Sequence, residues 1–297
     1  MRLCLGTVQF GMKYGIQGNN RPSVSSINNM LCMAIDCGVN CFDTASAYGD
    51  AEAVLGQFMI AYPEYAKKMK IISKLKPQAF ENESKIDWIK IAIENAEESL
   101  HRIGINKFSD YLFHNAQYIF DQEALNALKM VKEEGLTERI GVSIYTPQEA
   151  MKALEHTEIE AIQIPYNVFD QRLDKCGFFD KALEKKVYVY ARSSLLQGVV
   201  MMKPDCLPKT MNFARSYLRT FLSICSKYSI DPLNAAVGYV AAHQGIDCVV
   251  FGVDNEIQLI EYVSMQEHTI PEAAVKEFIV EFENVEEKLV NPVLWDK

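Results

Sequence analysis

Residues 39–61 read VNCFDTASAYGDAEAVLGQFMIA, and this stretch predicts the repeating unit of the fold. The apolar run 39–43 is typical of a buried strand and ends at a carboxylate, Asp43. A turn that carries Tyr48 follows it, and the pattern over 50–61 predicts a helix. A strand that is followed directly by a helix is the building unit of α/β proteins.

The same unit recurs along the whole chain. Strands are predicted at 3–7, 39–43, 69–74, 109–113, 138–143, 160–164, 186–191 and 248–252. Helices are predicted near 24–36, 50–61, 84–103, 121–134, 147–155, 178–184, 212–229, 232–243, 255–264 and 271–288. The strands are nearly continuous in apolar residues, as expected for parallel strands that are covered on both faces.

Eight such units without a break in composition favour one closed (β/α)8 TIM barrel over residues 1–297. The alternative is an open doubly wound sheet, which would carry a glycine-rich phosphate turn after its first strand. Here Gly6 is followed by TVQFG, and no such motif is present.

The segment 194–211 lacks a clear element and is a candidate lid over a ligand. We expect the C-terminal helix and tail, 271–297, to close the barrel bottom or form an interface, anchored by Trp295.

Composition excludes several classes of function. With 49% hydrophobic residues and a net charge of −9, the chain can bury a large core, and the charge argues against a nucleic-acid partner. No apolar run reaches the roughly 20 residues of a membrane helix, and no secretory signal is evident. The eight cysteines form no CxxC pair, so we expect reduced thiols and a cytoplasmic location. No motif indicates the oligomeric state, for which we expect a monomer.

Four polar residues stand at or just beyond the ends of three consecutive predicted strands: Asp43, Tyr48, Lys74 and His114. Because the carboxyl ends of barrel strands share one face, these side chains are expected to converge there. A lysine ammonium beside a tyrosine would lower the pKa of the phenol, and a carboxylate would balance the buried ammonium. Such a set suits protonation of a carbonyl oxygen, and His114 can hydrogen-bond the substrate.

The motifs around these residues resemble those of the aldo-keto reductase superfamily. FDTASAYG, ISKL and LFHNA are similar to the family segments that follow strands two, three and four. ERIGVSIYTPQE, AIQIPYNVFDQ, ARSSLLQGVV and VVFGVDNEIQL are similar to those of strands five to eight. The resemblance implies Tyr48 as the general acid, Lys74 and Asp43 as the groups that tune it, and His114 as the residue that orients the carbonyl.

The resemblance also implies a cofactor, NADPH or NADH, and no metal. The cofactor-binding residues that it implies are Gly6, Thr7, Asp43, Ser143, Gln163, Arg192, Ser193, Leu195, Gly198, Gly252, Val253, Asp254, Asn255 and Gln258. Ile144 stands where the family usually has an asparagine, and Arg192 where it often has a tyrosine that stacks on the nicotinamide. Asp254 brings a negative charge to the adenosine segment, so we expect a weakened NADPH preference.

The implied reaction is the NAD(P)H-dependent reduction of an aldehyde or ketone. The opening LGTVQFGMKYG resembles a branch often associated with sugar metabolism, which suggests a small, sugar-derived carbonyl substrate. We expect the substrate pocket to include Phe10, Tyr14, Asn115, Tyr118 and Met201. Two alternatives stay open: a non-catalytic cofactor-binding regulatory barrel, and a Schiff-base lyase or aldolase that uses Lys74 as its nucleophile.

Overall fold

A computed structural model of the chain describes residues 2–16, 18–265 and 269–295. Within these residues, eight parallel strands close into a barrel in the order β1 to β8. The strands are β1 Leu3–Gly6, β2 Cys41–Asp43, β3 Lys70–Leu75, β4 Phe108–Phe113, β5 Thr137–Ser143, β6 Ala161–Pro165, β7 Tyr188–Arg192 and β8 Cys248–Phe251. The closed barrel confirms the predicted (β/α)8 fold and rules out the open sheet.

Helices connect and surround the strands. They are α1 Val8–Gly11, α2 Val24–Asp36, α3 Ala51–Ala61, α4 Pro63–Ala66, α5 Trp88–Ile103, α6 Gln122–Glu133, α7 Pro147–Ala153, α8 Phe178–Glu184, α9 Arg215–Lys227, α10 Pro232–Ala241, α11 Glu256–Ser264, α12 Glu272–Glu281 and α13 Glu287–Val290. The predicted start of α7 is confirmed by a complete capping box between Thr146 and Glu149. The short helix α1 was not predicted.

Two predicted segments differ from the structure. The stretch 194–211 is ordered by 3-10 turns at Leu196–Met201, Pro204–Cys206 and Lys209–Ala214, and α9 starts only at Arg215. The helix predicted over 271–288 is broken between α12 and α13. Phe282 lies at the break, is buried, and packs against Phe169 with the ring centroids 4.8 Å apart.

Strand register places the polar strand ends on one face of the barrel. Gly6 pairs with Asp43, Lys74 with Leu112, and Ser143 with Gln163. The barrel interior below this face is filled by a small cluster that includes Cys4 and Cys248.

All eight cysteines are free thiols, as predicted. None of the helices in the described part of the chain has the length and apolar character needed to cross a membrane.

The C-terminal tail does not lie where the sequence placed it. Pro292 and Val293 line a cleft at the carboxyl ends of the strands, which contradicts closure of the barrel bottom by the tail. The alternative, that the tail forms an interface, stays a prediction. Trp295 is buried and donates a hydrogen bond from Nε1 to the carbonyl of Lys288 at 2.7 Å. It therefore anchors the tail, as expected, but at the opposite end of the barrel.

Candidate active site

A cleft of about 610 Å³ opens at the carboxyl ends of the strands, the face where barrel enzymes carry their active sites. The predicted site residues that line it are Gly6, Thr7, Asp43, Tyr48, His114, Ser143, Gln163, Arg192, Ser193, Leu195, Gly198, Gly252, Asp254 and Gln258. Lys74 lies beneath them and contacts Tyr48. Residues that are distant in sequence therefore converge in one cleft.

Two glycines position the loop that carries Tyr48. Gly49 has a φ of +55°, a left-handed conformation that glycine adopts without strain. A Cβ on Gly49 would lie 2.6 Å from the carbonyl oxygen of Gly11, and one on Gly11 would lie 1.8 Å from the carbonyl oxygen of Tyr48. The backbones thus pack directly on each other, and α1 supports the turn from which Tyr48 projects.

Lys74 is the centre of a buried polar cluster. Its Nζ donates to Asp43 Oδ1 at 2.7 Å, to the carbonyl of Thr44 at 3.0 Å and to the hydroxyl of Tyr48 at 3.3 Å. These contacts use all three donors of an ammonium group. Gln163 also donates to Asp43 Oδ1, at 2.8 Å, so the carboxylate is held from two sides.

The pKa of Tyr48 reflects two opposing effects. Burial raises it to about 12, although the Lys74 ammonium acts in the opposite direction. The prediction that Lys74 lowers the pKa of Tyr48 is correct for that one interaction. The net shift is in the opposite direction, because desolvation of the phenolate raises the pKa by more than the ammonium lowers it. Burial alone would lower the pKa of Lys74, but Asp43 and Tyr48 raise it above its ordinary value. Lys74 is thus an ammonium and Tyr48 a protonated phenol at neutral pH.

His114 stands at the end of β4 with its ring edge-on to that of Tyr48, the centroids 5.7 Å apart. Its Nδ1 is buried and has no hydrogen-bond partner among the described residues. Burial lowers the pKa of His114 to about 3, and the charges of Lys74 and Arg192 act in the same direction. The imidazole is therefore neutral at physiological pH and can orient an oxygen without carrying charge.

Ile144 and Arg192 are the two departures from the family pattern in this part of the site. Ile144 is fully buried in the core, so its side chain offers no contact to a ligand. The guanidinium of Arg192 stacks 4.5 Å from the ring centroid of Tyr145 and donates to the carbonyl of Ile144 at 2.8 Å. Arg192 therefore reaches from β7 to the end of β5 and occupies the region next to Ser143.

The loop after β1 crosses the cleft. The backbone amide of Ile16 donates to the carbonyl of Gln197 at 3.1 Å, and Asn19 donates to Asp254 Oδ2 at 2.7 Å. Four residues of the loop after β7 have positive φ: Ser193, Leu196, Gln197 and Gly198. Such backbone strain in non-glycine residues is concentrated at ligand sites. The β1 and β7 loops together roof part of the cleft.

Apart from Lys74, which lies beneath the cleft, five predicted site or pocket residues do not line it. Val253 is fully buried in the core, and Asn255 caps α11 by accepting from Gln258 N at 3.0 Å. Phe10 is also in the core, Asn115 begins a 3-10 turn, and the hydroxyl of Tyr118 donates to the carbonyl of Pro77. The sequence motifs indicate which segments lie near the barrel mouth. They do not indicate the direction of each side chain, because that depends on tertiary packing.

Cleft residues that the sequence did not single out include Gln9, Ile16, Asn19, Tyr145 and Glu261. The predicted pocket residues Tyr14 and Met201 also line the cleft. Of these residues, Tyr145 could have been predicted from the sequence, because it directly follows Ser143 and Ile144 in a segment already implied to bind the cofactor. The others depend on how the β1 loop and α11 fold over the barrel mouth.

The residues present fit an extended, polar cofactor. Gln9 Oε1 is buried without a hydrogen-bond partner among the described residues, so it can accept from a bound group. A Cβ on Gly252 would lie 2.4 Å from Gln9 Nε2, so only glycine leaves that side chain in place. Ser143 Oγ lies 3.2 Å from Gln163 Oε1, and both side chains line the cleft.

Among the described residues, no group of three or more histidine, cysteine, aspartate or glutamate side chains is arranged to hold a metal ion. The expectation that the site works without a metal stays a prediction.

Comparisons with known proteins find similar sequences and similar structures. An aldo-keto reductase from Gibberella moniliformis is 27% identical over 181 residues, 60% of this chain and 55% of the relative. A 6-dehydroglucose reductase from Novosphingobium aromaticivorans is 28% identical over 166 residues, 52% of each chain. The chain spans about half the length of the curated relatives that it matches.

A solved structure from Pseudomonas aeruginosa, described as an aldo-keto reductase, matches with a TM-score of 0.65 at 23% identity. The match covers 89% of this chain and 88% of that one, and it supports the barrel fold. The model of the Aldo/keto reductase family matches residues 2–279. Because that match covers nearly the whole chain and agrees with the barrel, the chain belongs to the aldo/keto reductase family.

Proposed function

We propose that the protein is an NAD(P)H-dependent oxidoreductase that reduces an aldehyde or ketone carbonyl in the cleft. One observation carries the proposal: Lys74 Nζ lies 3.3 Å from the Tyr48 hydroxyl and 2.7 Å from Asp43 Oδ1, at the barrel mouth. A bound reduced nicotinamide would supply the hydride. Glycines 6 and 252, with Ser143, Gln163 and Gln9, are the residues that would hold it.

Each member of the cluster has a separate task in this reaction. The Tyr48 hydroxyl donates its proton to the carbonyl oxygen as negative charge develops there. Lys74 stabilises the phenolate that is left, and Asp43 keeps the ammonium in position. The neutral imidazole of His114 orients the same oxygen. The surrounding low dielectric strengthens these interactions during the reaction.

The direct test is a panel of small aldehydes and ketones, incubated with the protein and either NADH or NADPH while absorbance at 340 nm is followed. Sugar-derived carbonyl compounds belong in the panel, because one relative is a 6-dehydroglucose reductase. Consumption of reduced cofactor that depends on the carbonyl compound would support the proposal. Tight cofactor binding without turnover on any member would favour the non-catalytic regulatory barrel instead.

The Schiff-base alternative has little support from the cluster. A nucleophilic lysine must be neutral, whereas Asp43 and Tyr48 raise the pKa of Lys74 above its ordinary value. Borohydride treatment in the presence of a carbonyl substrate is therefore expected to leave Lys74 unmodified. A stable adduct on Lys74, detected by mass spectrometry, would support the lyase.

The reaction is expected to show a flat pH profile. His114, with a pKa of about 3, is neutral above that value, and Tyr48, with a pKa of about 12, is protonated below it. Neither group changes charge between about pH 5 and pH 9, so kcat/KM for reduction should vary by no more than about twofold. Rates measured across that range with one substrate test this. A step near the ordinary histidine pKa of 6.5 would contradict it.

The preference for NADPH is expected to be weak, so that NADH is tolerated or preferred. Asp254 lines the cleft in the segment implied to face the adenosine end, and Glu261 lines it from α11. Neither forms an ion pair with a described residue. Repulsion of a 2′-phosphate by Asp254 costs on the order of 1 kcal/mol, so Asp254→Asn is expected to shift the NADPH/NADH ratio of kcat/KM about fivefold towards NADPH. Asp180→Asn, an exposed change outside the cleft, is the control. A hundredfold NADPH preference in the unmodified protein would contradict the prediction.

A further inference from the structure

Arg192 is the one residue with a permanent positive charge among the described residues that line the cleft. Its contacts are with neutral groups: the ring of Tyr145, the carbonyl of Ile144 and Ser193 Oγ at 3.3 Å. Two other sheltered arginines, Arg139 and Arg172, each pair with an aspartate at 2.7 Å. Arg192 has no such partner in the described part of the chain, so its charge is available to a ligand.

The position of Arg192 places this charge beside the proposed reaction centre. Its side chain extends from the end of β7 to the end of β5, away from β8 and the adenosine segment. Burial raises the pKa of Tyr14, and the charge of Arg192 opposes that rise. Arg192 also acts on the pKa of Tyr48 and His114 in the same cleft. The cation thus lies within electrostatic reach of the two groups that would hold the carbonyl oxygen.

The guanidinium is held in place before any ligand binds. Stacking on Tyr145 fixes its plane, and two hydrogen bonds fix its rotation, while an arginine has five N–H donors in all. A planar, preorganised guanidinium matches the two oxygens of a carboxylate or phosphate. Tyr14 also lines the cleft, and the charge of Arg192 acts on the pKa of its hydroxyl.

We propose that Arg192 is a specificity residue that binds an anionic group of the substrate, so that the enzyme reduces carbonyl compounds bearing a carboxylate or phosphate in preference to neutral ones. This inference rests on the proposed function, because it assigns the substrate class of the same cleft. The competing role for Arg192 is contact with the cofactor alone.

Matched substrate pairs separate these roles. One pair is 4-formylbenzoate and its neutral methyl ester, and another is glyceraldehyde 3-phosphate and glyceraldehyde, each with saturating reduced cofactor. We expect kcat/KM to favour the anionic member of at least one pair by about 10- to 100-fold, the size of a hydrogen bond to a charged group. The pair with the larger ratio identifies the anion as carboxylate or phosphate.

Arg192→Gln should reduce that ratio to near one, and Arg192→Lys should restore part of it. Both values of kcat/KM are measured on the same enzyme with saturating reduced cofactor. A change in cofactor affinity therefore affects both substrates equally and leaves their ratio unchanged. Lys203→Gln removes an exposed cation from the same loop outside the cleft and should keep the ratio. Equal rates for both members in the unmodified protein, or a ratio unchanged by Arg192→Gln, would overturn the proposal.

A binding measurement without turnover distinguishes failure of this inference from failure of the proposed function. Calorimetry with 4-methylbenzoate and with its neutral amide, each with and without NADH, should show binding of the carboxylate that Arg192→Gln weakens about 10- to 100-fold. If the carboxylate binds in this way but no carbonyl compound is reduced, the anion site stands and the reductase proposal fails. Equal binding of carboxylate and amide, together with equal rates for the two members of the phosphate pair, would overturn the anion site.

Discussion

Tyr48→Phe is expected to lower the rate of carbonyl reduction by about 100- to 10,000-fold, the range that general acid catalysis contributes. The change removes the hydroxyl that lies 3.3 Å from Lys74 Nζ and leaves the aromatic ring in place. With no phenol to donate a proton, negative charge on the substrate oxygen would develop without neutralisation. The measurement is the single-turnover rate with saturating reduced cofactor, in the variant and the unmodified protein.

The variant should remain folded, because its ring can keep the edge-on contact with His114. Circular dichroism and cofactor binding check this. Tyr62→Phe is the matched control, since it also removes a tyrosine hydroxyl but at the end of α3, outside the cleft. A Tyr48→Phe protein that retains more than about a tenth of the rate would show that another group supplies the proton.

Lys74→Met should both destabilise the protein and abolish turnover. Lys74 and Asp43 are almost completely buried and lie 2.7 Å apart, so removal of the ammonium leaves a carboxylate without its counter-charge. Loss of one partner from a buried ion pair typically costs about 3–5 kcal/mol in the free energy of unfolding. Urea denaturation of the two proteins measures this difference, and the 340 nm assay measures the activity.

A double variant, Asp43→Asn with Lys74→Met, separates stability from catalysis. It carries no buried charge at this position, so it should regain most of the lost stability while turnover stays absent. Lys67→Met breaks an exposed pair with Glu64 and should change stability little. If the double variant recovered activity, the proposed role of Lys74 in stabilising the phenolate would be wrong.

The barrel could be predicted because its strands are buried on both faces and leave nearly continuous apolar runs in the sequence. The polar residue at the end of each run was then informative, and Asp43, Tyr48 and His114 all line one cleft. The capping box that Thr146 and Glu149 form at the start of α7 is a local signal of the same kind. These features depend on residues that are close together along the chain.

Features that depend on distant contacts could not be predicted. The β1 loop crosses the cleft because Asn19 meets Asp254, 235 residues further along the chain. The stacking of Arg192 on Tyr145 and the burial of Phe10 and Val253 likewise depend on packing between elements. The pKa of Tyr48 is a balance of burial and charge, and sequence spacing reveals the charge but not the extent of burial.

Deuterium transfer tests the central claim most directly. The protein is incubated with NADH that carries deuterium at both C4 positions and with a carbonyl compound selected from the panel, and the alcohol product is analysed by mass spectrometry and NMR. We predict one deuterium on the carbinol carbon of each product molecule, with product formation strongly reduced in Tyr48→Phe. Alcohol without deuterium, or no alcohol from any carbonyl compound despite tight cofactor binding, would contradict the proposed hydride transfer.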